Sequence, residues 1–108
     1  MNLSEKKFLD GLPKYNDWLI DSLKNKKKSI AYLQTAIEEY QEDSDPAPLL
    51  LAIRHVALAQ GGMAELAKKT NLNRETLYRT LSAKGNPRLK TVGHLLRALG
   101  FRLTVKSL

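Results

Sequence analysis

The sequence has no cysteine among its 108 residues. It can therefore form no disulfide bond, no thiolate metal site and no thiol nucleophile, which fits a protein of the reducing cytoplasm. No apolar run reaches the roughly 18 residues of a membrane-spanning helix, and the first residues lack the apolar segment of a secretory signal. We expect one small cytoplasmic chain without a membrane-embedded part.

Acidic residues are almost missing from the second part of the chain. Residues 49–108 carry eleven Lys or Arg and two acids, a net charge of +9, whereas residues 1–48 carry seven lysines and nine acids, a net charge of −2. Such a division predicts two surfaces with different partners. The basic part has the charge that phosphate binding requires, and a solubilising surface bias is the weaker explanation for so few acids.

Catalytic motifs are missing as well. The two histidines, His55 and His94, are separated by at least one loop, and neither has an acidic neighbour in sequence. There is no His-Glu-x-x-His sequence and no glycine-rich phosphate loop. We therefore predict no enzyme activity, no catalytic residue, no metal site and no cofactor. Both histidines are predicted to lie on the outer sides of their helices.

The first residues predict little regular structure. Residues 1–14 suggest only a turn capped by Ser4, and helical spacing then covers residues 16–23. Trp18, the single tryptophan, is expected to anchor packing rather than to bind a ligand, because large aromatic side chains mostly serve cores and interfaces.

An acidic amphipathic helix is predicted over residues 29–43, after a basic run at 24–28 that we interpret as a solvated linker. The inner face repeats at helical spacing and consists of Ile30, Leu33, Ile37 and Tyr40. Four acids lie near the end of this helix, where they oppose the helix dipole. This surface is expected either to meet a basic partner or simply to be solvated.

A second apolar helix follows. Asp45 is predicted to cap it, with Pro46 at the first helical position, and Gly61 and Gly62 end it. Its buried stripe is predicted to contain Leu49, Leu50, Ile53 and Ala57.

The stretch 62–82 predicts two short helices at a steep angle. Ala67 is small enough to let the two helices approach closely. Asn71 stands where the chain must turn with a positive φ, a position that favours glycine and then asparagine. Asn73 is a good N-cap for the second helix. Leu72 and Leu77 are expected to fill the angle between the helices, and Leu77 and Leu81, at i and i+4, mark the inner face of the second helix.

This helix pair is predicted to bind DNA with its second helix, and an ordinary packed helical hairpin is the alternative. An α-helix fits the major groove and presents its early residues to base edges. The candidate DNA contacts are Met63, Asn73, Arg74, Glu75, Thr76, Tyr78, Arg79, Lys84 and Arg88.

Individual roles follow from chemistry. Arg74 is predicted to bind a guanine with two hydrogen bonds. Glu75 either accepts from a cytosine amine or pairs with Arg79 one turn later. Tyr78 either reaches the DNA or lies half-buried against the first helix. The backbone at Met63 could offer N–H groups to a phosphate, and the cationic side chains of the following loop could bind others.

The chain ends with a helix and a strand. The helix is predicted over residues 88–99, with Leu89, Val92, Leu96 and Leu99 inside and Gly100 ending it. From Phe101 to Lys106, apolar and polar residues alternate with the period of a β-strand. A single strand leaves its backbone groups unpaired, so antiparallel pairing with a second copy predicts a homodimer.

The stretch around Ala67, Asn71 and Asn73 resembles the helix-turn-helix of Cro/cI-type regulators. In a wider frame, the acidic helix, the Asp45-Pro46 start, the segment Arg74–Ser82 and the loop Gly85–Pro87 resemble the HigA-like antitoxins among addiction-module antidotes. The resemblance covers residues 28–106. It departs at Asn71, where the family more often has glycine.

The resemblance implies a mainly α fold, a lambda-repressor-like helix-turn-helix bundle with N-terminal helices and a short C-terminal β-strand. The charge division predicts a partner-binding helical segment over residues 1–48 and a DNA-binding domain over residues 49–108. The resemblance also implies two activities: neutralising a basic toxin of the RelE type, and repressing the shared operon by binding double-stranded operator DNA as a dimer. The acidic helix is the natural candidate for a basic toxin. A stand-alone regulator and a helical interaction module that binds no DNA are the alternatives.

Overall fold

A computed structural model describes residues 14–108, and their side chains from Asp17 onwards. The turn predicted at Ser4 lies outside these residues. The described chain is mainly helical, as predicted. Its helices are α1 Lys14–Ser22, α2 Lys26–Asp43, α3 Ala47–Ala59, α4 Met63–Thr70, α5 Arg74–Thr80 and α6 Leu89–Ala98. None of the helices in this range is both long enough and apolar enough to cross a membrane.

Helix α3 is the centre of the fold because it contacts α1, α2 and α4. Its sequence is almost wholly apolar, and Leu50, Ile53 and Val56 are fully buried. Leucines from the other helices complete one continuous core, to which Leu23, Leu33, Leu66, Leu77, Leu81, Leu95, Leu96 and Leu99 belong. Burial of these side chains supplies the main driving force for folding.

Helix α2 begins earlier than predicted. Asn25 is its N-cap and accepts a hydrogen bond from the Lys28 backbone N–H at 3.1 Å. Lys26, Lys27 and Lys28, which we expected in a solvated linker, therefore form the first helical turn, whereas Lys24 lies before the helix. Ser29, the predicted start, is instead buried, and its hydroxyl donates to the Leu23 carbonyl at 2.6 Å.

The apolar residues of the two N-terminal helices are less buried than predicted. In α2, Leu33 and Ala36 face the core, whereas Ile30 and Tyr40 are exposed. Trp18 is 72% exposed, so the packing role that we expected for it is wrong within the single chain. The helical period identifies the apolar face of α2 correctly. Which residues of that face are buried depends on where α3 packs against it.

Helix α3 starts one residue later than predicted, since Pro46 and not Asp45 is at the cap position. The Asp45 carboxylate nevertheless accepts from the Ala47 N–H at 3.1 Å. The prediction for His55 is wrong, because this side chain is buried and its Nδ1 lies 2.8 Å from the Tyr32 hydroxyl. The exposed position predicted for His94 is confirmed.

Helix α6 keeps the predicted inner face only in part. Leu95, Leu96 and Leu99 are buried, and Val92 is half-buried against them. Leu89 is 75% exposed, so its predicted inward position is wrong. It lies in the first turn of the helix, one turn before the stretch that contacts the core.

Residues 101–108 have no regular secondary structure, and none of residues 14–108 forms a β-strand, so the predicted C-terminal strand is not found. Phe101 is half-buried, and its N–H donates to the Leu96 carbonyl at 2.8 Å. A strand is defined by its hydrogen-bonded neighbour, and within the described part of one chain no neighbouring segment pairs with this one.

Candidate nucleic-acid interface

The turn between α4 and α5 is formed by Asn71. The backbone of this residue has a φ of 59°, in the left-handed helical region. Its N–H donates to the Ala67 carbonyl. Leu72 donates to the same carbonyl at 3.2 Å. The predicted turn at Asn71 is therefore confirmed. Asparagine serves here because its short polar side chain tolerates the left-handed region better than most residues do.

Helix α5 starts at the predicted cap. The Asn73 side chain accepts from the Thr76 N–H at 2.7 Å, and this satisfies a backbone group that the helix itself leaves unpaired. Leu77 and Leu81 on the inner side are fully buried. The cap fixes where the helix begins, and the two leucines fix which side faces outward.

The outer side of α5 carries most of the predicted contacts. Asn73, Glu75 and Arg79 are exposed, and Arg74, Thr76 and Tyr78 are half-buried. Lys84 and Arg88, in the loop that follows, are exposed as well. Met63 is the exception, since its side chain is buried in the core. Only its backbone at the start of α4 could meet a ligand.

The structure gives the surroundings of two of these residues in the single chain. No ion pair is recorded between Glu75 and Arg79 among residues 17–108. Tyr78 is half-buried and packs against the core. Its ring lies beneath the guanidinium group of Arg54, with the Arg54 Cζ atom 5.0 Å from the ring centroid.

Arg54 belongs to this site although the sequence pattern did not predict it. Burial lowers the pKa of its guanidinium group below the ordinary value, and Tyr78 acts in the opposite direction. An arginine nevertheless remains charged in proteins. Its contact with Tyr78 joins α3 to α5 by a cation–π interaction. One signal for it was present, because Arg54 is the single charged residue in α3.

The loop after α5 is compact. The Ser82 hydroxyl donates to the Arg79 carbonyl at 2.8 Å, and the Gly85 N–H donates to the Ser82 carbonyl at 2.9 Å. A Cβ atom at Gly85 would overlap the backbone carbonyl of Thr80. The loop therefore needs glycine at this position to hold Lys84 close to the end of α5.

One comparison with known proteins identifies a family. A protein family described as "Probable addiction module antidote protein" matches residues 15–107. The chain belongs to this family. An uncharacterized protein of Haemophilus influenzae is 30% identical to this chain over 75 residues, which make up 69% of this chain and 76% of that protein. No solved structure matches the chain.

The candidate surface of this chain is strongly cationic. Residues 49–108 contain only two acids, Glu65 and Glu75. Two lysines, Lys68 and Lys69, lie in the last turn of α4, where they also complement the helix dipole. The neighbouring α6 is tied to this end of α4, since His94 Nε2 lies 3.3 Å from the Thr70 carbonyl and must donate to it. Such a surface suits a polyanion.

Proposed function

We propose that this chain is a DNA-binding antitoxin of a type II toxin–antitoxin module, acting in the cytoplasm. It binds double-stranded operator DNA as a dimer, represses its own operon and neutralises a RelE-like toxin. In this proposal α4 and α5 form a Cro/cI-type helix-turn-helix, and the chain acts in the way of the HigA-like antitoxins that its sequence resembles.

The observation that carries the DNA-binding part is the geometry of α5. It starts at a capped Asn73 directly after a left-handed Asn71, and it keeps Leu77 in the core. This combination leaves a short row of polar and cationic side chains on the outer side of a helix of seven residues. Helix N-terminal residues of this kind are the ones that enter the major groove in helix-turn-helix proteins.

The side chains divide into two groups by position. Arg74 and Glu75 lie in the first turn of α5, so we propose that they read base edges, with Arg74 on a guanine. Arg79, Lys84 and Arg88 lie farther along the chain and are exposed, so we propose that they bind phosphates. The Tyr78 ring lies under the Arg54 guanidinium group, and we propose that this contact helps to orient α5 while the Tyr78 hydroxyl binds a sugar or phosphate.

The toxin is the second proposed partner. The family name describes an antidote, and an antidote implies a toxin. Helix α2 exposes Glu38, Glu39, Glu42 and Asp43, with no basic residue in its last turn. Charge complementarity to a basic toxin would speed association and favour the correct partner. Co-expression with the adjacent reading frame, followed by purification, tests whether the two proteins form a complex.

The DNA contacts are tested by alanine variants on the upstream DNA. Arg74→Ala should cost about 1–3 kcal/mol of binding free energy at one base position and relax sequence preference there. Lys84→Ala should weaken all sequences alike and reduce the slope of log affinity against log salt by about one unit. Fluorescence anisotropy at several salt concentrations measures both effects.

A charge-matched control is Lys27→Ala. Lys27 is equally exposed but lies in the first turn of α2, outside the basic part of the chain. It should leave affinity and salt slope unchanged. If Arg74→Ala leaves operator preference unchanged, the proposed base contact is wrong. If the wild-type chain shows no salt-dependent binding to its upstream DNA, the chain is a helical interaction module instead. Binding without any adjacent toxin gene would indicate a stand-alone regulator.

A further inference from the structure

A groove of about 920 Å³ lies between α2 and the C-terminal residues 101–108. One wall is α2, where Ile30 and Ile37 contribute apolar surface and Glu38 and Glu42 contribute acids. The other wall is the segment 101–108 itself. Each wall leaves an apolar side chain exposed to solvent in the single chain. These are Ile30 on α2 and Val105, which is 99% exposed, on the C-terminal segment.

The segment 101–108 offers a free edge for hydrogen bonding. Apart from the Phe101 N–H, its backbone forms no hydrogen bond within the described residues. Leu103 and Val105 are exposed apolar side chains on this segment. Free edges with alternating apolar residues are templates for pairing with another strand.

We propose that the groove is occupied by the C-terminal segment of a second copy of this chain, paired antiparallel with its counterpart, with the two Leu103 residues directly opposite each other. The proposal deepens the dimer of the proposed function by giving its interface. It places Glu38 and Glu42 at that interface, next to the cationic side chains of the incoming segment. Glu39 and Asp43 do not line the groove and stay available to the toxin.

Charge complementarity favours this occupant. The incoming segment carries Arg102 and Lys106 between its apolar residues, and the groove wall carries Glu38 and Glu42. Within residues 17–108 of one copy these four side chains form no ion pair with one another. Arg102 and Lys106 of the first copy line the groove as well, so a second copy adds further cations next to acids that form no ion pair within one copy.

The lengths also agree. Six extended residues, 101–106, span about 20 Å. The wall of α2 from Ile30 to Glu42 spans about 18 Å, at 1.5 Å per residue. The incoming segment can therefore follow the whole helix wall while it pairs with the first segment.

The register follows from the like-charge rule. Pairing centred on Thr104 would place Arg102 directly opposite Lys106 of the other copy, and pairing centred on Arg102 would oppose two arginines. Like charges directly opposite each other destabilise an antiparallel pair. Centring on Leu103 places Arg102 opposite Thr104 and Phe101 opposite Val105. It keeps the apolar residues on one side and adds favourable aromatic–aliphatic pairs.

The absence of cysteine makes the register directly testable by single-cysteine crosslinking. Directly opposed residues of an antiparallel pair have Cα atoms about 4.5–5.5 Å apart, within the range of a disulfide. Leu103→Cys should therefore form a disulfide-linked dimer rapidly under mild oxidation. Thr104→Cys should crosslink at least about tenfold more slowly, because its counterpart is displaced diagonally by about 7–8 Å. Non-reducing electrophoresis gives both rates.

The helix wall is tested by charge reversal. The double variant Glu38→Lys, Glu42→Lys should weaken dimerisation by about tenfold or more in analytical ultracentrifugation. Glu39→Lys is the matched control, since Glu39 is exposed on the same helix but does not line the groove. It should change the dimer dissociation constant by less than about twofold. Adding Arg102→Glu and Lys106→Glu to the double variant should restore dimerisation.

Each contrary outcome has its own meaning. Faster crosslinking of Thr104→Cys than of Leu103→Cys overturns the register, and a dimer that resists charge reversal overturns the groove as its interface. Both results leave a DNA-binding dimer intact. A chain that stays monomeric at every concentration overturns this inference together with the dimer of the proposed function. If charge reversal spares the dimer but abolishes co-purification with the toxin, the groove holds the toxin instead.

Discussion

At the scale of single residues, Gly85 and Gly93 differ in whether the structure has room for a side chain. A Cβ atom at Gly85 would overlap the Thr80 carbonyl, whereas nothing lies within 4 Å of a Cβ atom added at Gly93 in the middle of α6. Gly85→Ala should lower the free energy of unfolding by roughly 1–3 kcal/mol, since the loop must shift.

Gly93→Ala is the matched comparison. An alanine there should raise the free energy of unfolding by about 0.5–1 kcal/mol, because it restricts the unfolded chain and suits the helix. Urea unfolding followed by circular dichroism measures both variants. Effects of the same sign would contradict the described geometry of the loop.

His55 makes stability depend on pH. Burial is the main cause that lowers its pKa below the ordinary value of 6.5, and Arg54 acts in the same direction. Its Nδ1 is bonded to Tyr32, and its Nε2 is buried with no hydrogen-bond partner within the described residues. The folded state therefore holds this imidazole neutral at pH values where the unfolded chain already binds a proton.

The sign of the effect follows from this difference. The unfolded state binds more protons just below pH 6.5, so stability is complete above that pH and falls as the pH decreases towards the lowered folded pKa. His55→Gln should lose less stability between pH 7.5 and pH 5.5 than the wild type, as measured by urea unfolding. An equal loss in His55→Gln would show that other groups cause the dependence.

At the scale of elements, α5 is a helix of seven residues. It is too short to persist by itself in water, so it depends on its cap and on Leu77. Asn73→Ala should cost about 1 kcal/mol of stability through loss of the bond to the Thr76 N–H. It should also weaken DNA binding, because the first turn of α5 carries the proposed base contacts.

A suitable control for the cap is Asn86→Ala. Asn86 is exposed in the following loop, and its replacement should change stability by less than about 0.5 kcal/mol. Thermal unfolding and anisotropy on the same samples measure the two effects. If Asn73→Ala destabilised the fold without affecting DNA affinity, the first turn of α5 would not be the reading element.

Some elements could be predicted from the sequence because their signals are local. Asn71, Asn73 and the Leu77–Leu81 repeat are close together, and the structure has the turn and the cap where they predict them. The start of α2 was missed because Asn25 and Ser29 can both cap a helix. Only the folded chain shows that the Ser29 hydroxyl donates to the Leu23 carbonyl.

Other predictions failed because they depend on distant parts of the chain. Periodicity places Leu89 on the same side as Val92, but it cannot say how far along α6 the core extends. It also could not show that His55 is paired with Tyr32, 23 residues earlier. The C-terminal strand depends on a neighbour that one chain does not provide. Of the candidate site, the helix that presents the side chains was predictable and the contact between Arg54 and Tyr78 was not.

At the scale of the whole molecule, a dimer implies two DNA-reading helices related by two-fold symmetry. Such dimers bind half-sites about one helical turn, or a multiple of it, apart. Hydroxyl-radical footprinting should therefore show two protected patches with that spacing on the upstream DNA. Inserting 5 base pairs between the half-sites should reduce affinity strongly, because it turns one half-site to the opposite side of the duplex.

Inserting 10 base pairs is the control, since it restores the facing of both half-sites. Affinity should recover at least in part, limited by the reach of the dimer. Protection of one isolated patch, with no effect of either insertion, would show that a single copy binds independently.

Arg54 and His55 are neighbours on α3 whose side chains meet tyrosines of two different helices. One lies over Tyr78 on α5, and the other is hydrogen-bonded to Tyr32 on α2. Helix α3 thus connects the acidic helix α2 to the proposed DNA-reading helix α5. A partner that tilts α3 when it binds to α2 must change how α5 meets the duplex. Because free-energy coupling is reciprocal, DNA would then change the affinity for that partner by the same factor.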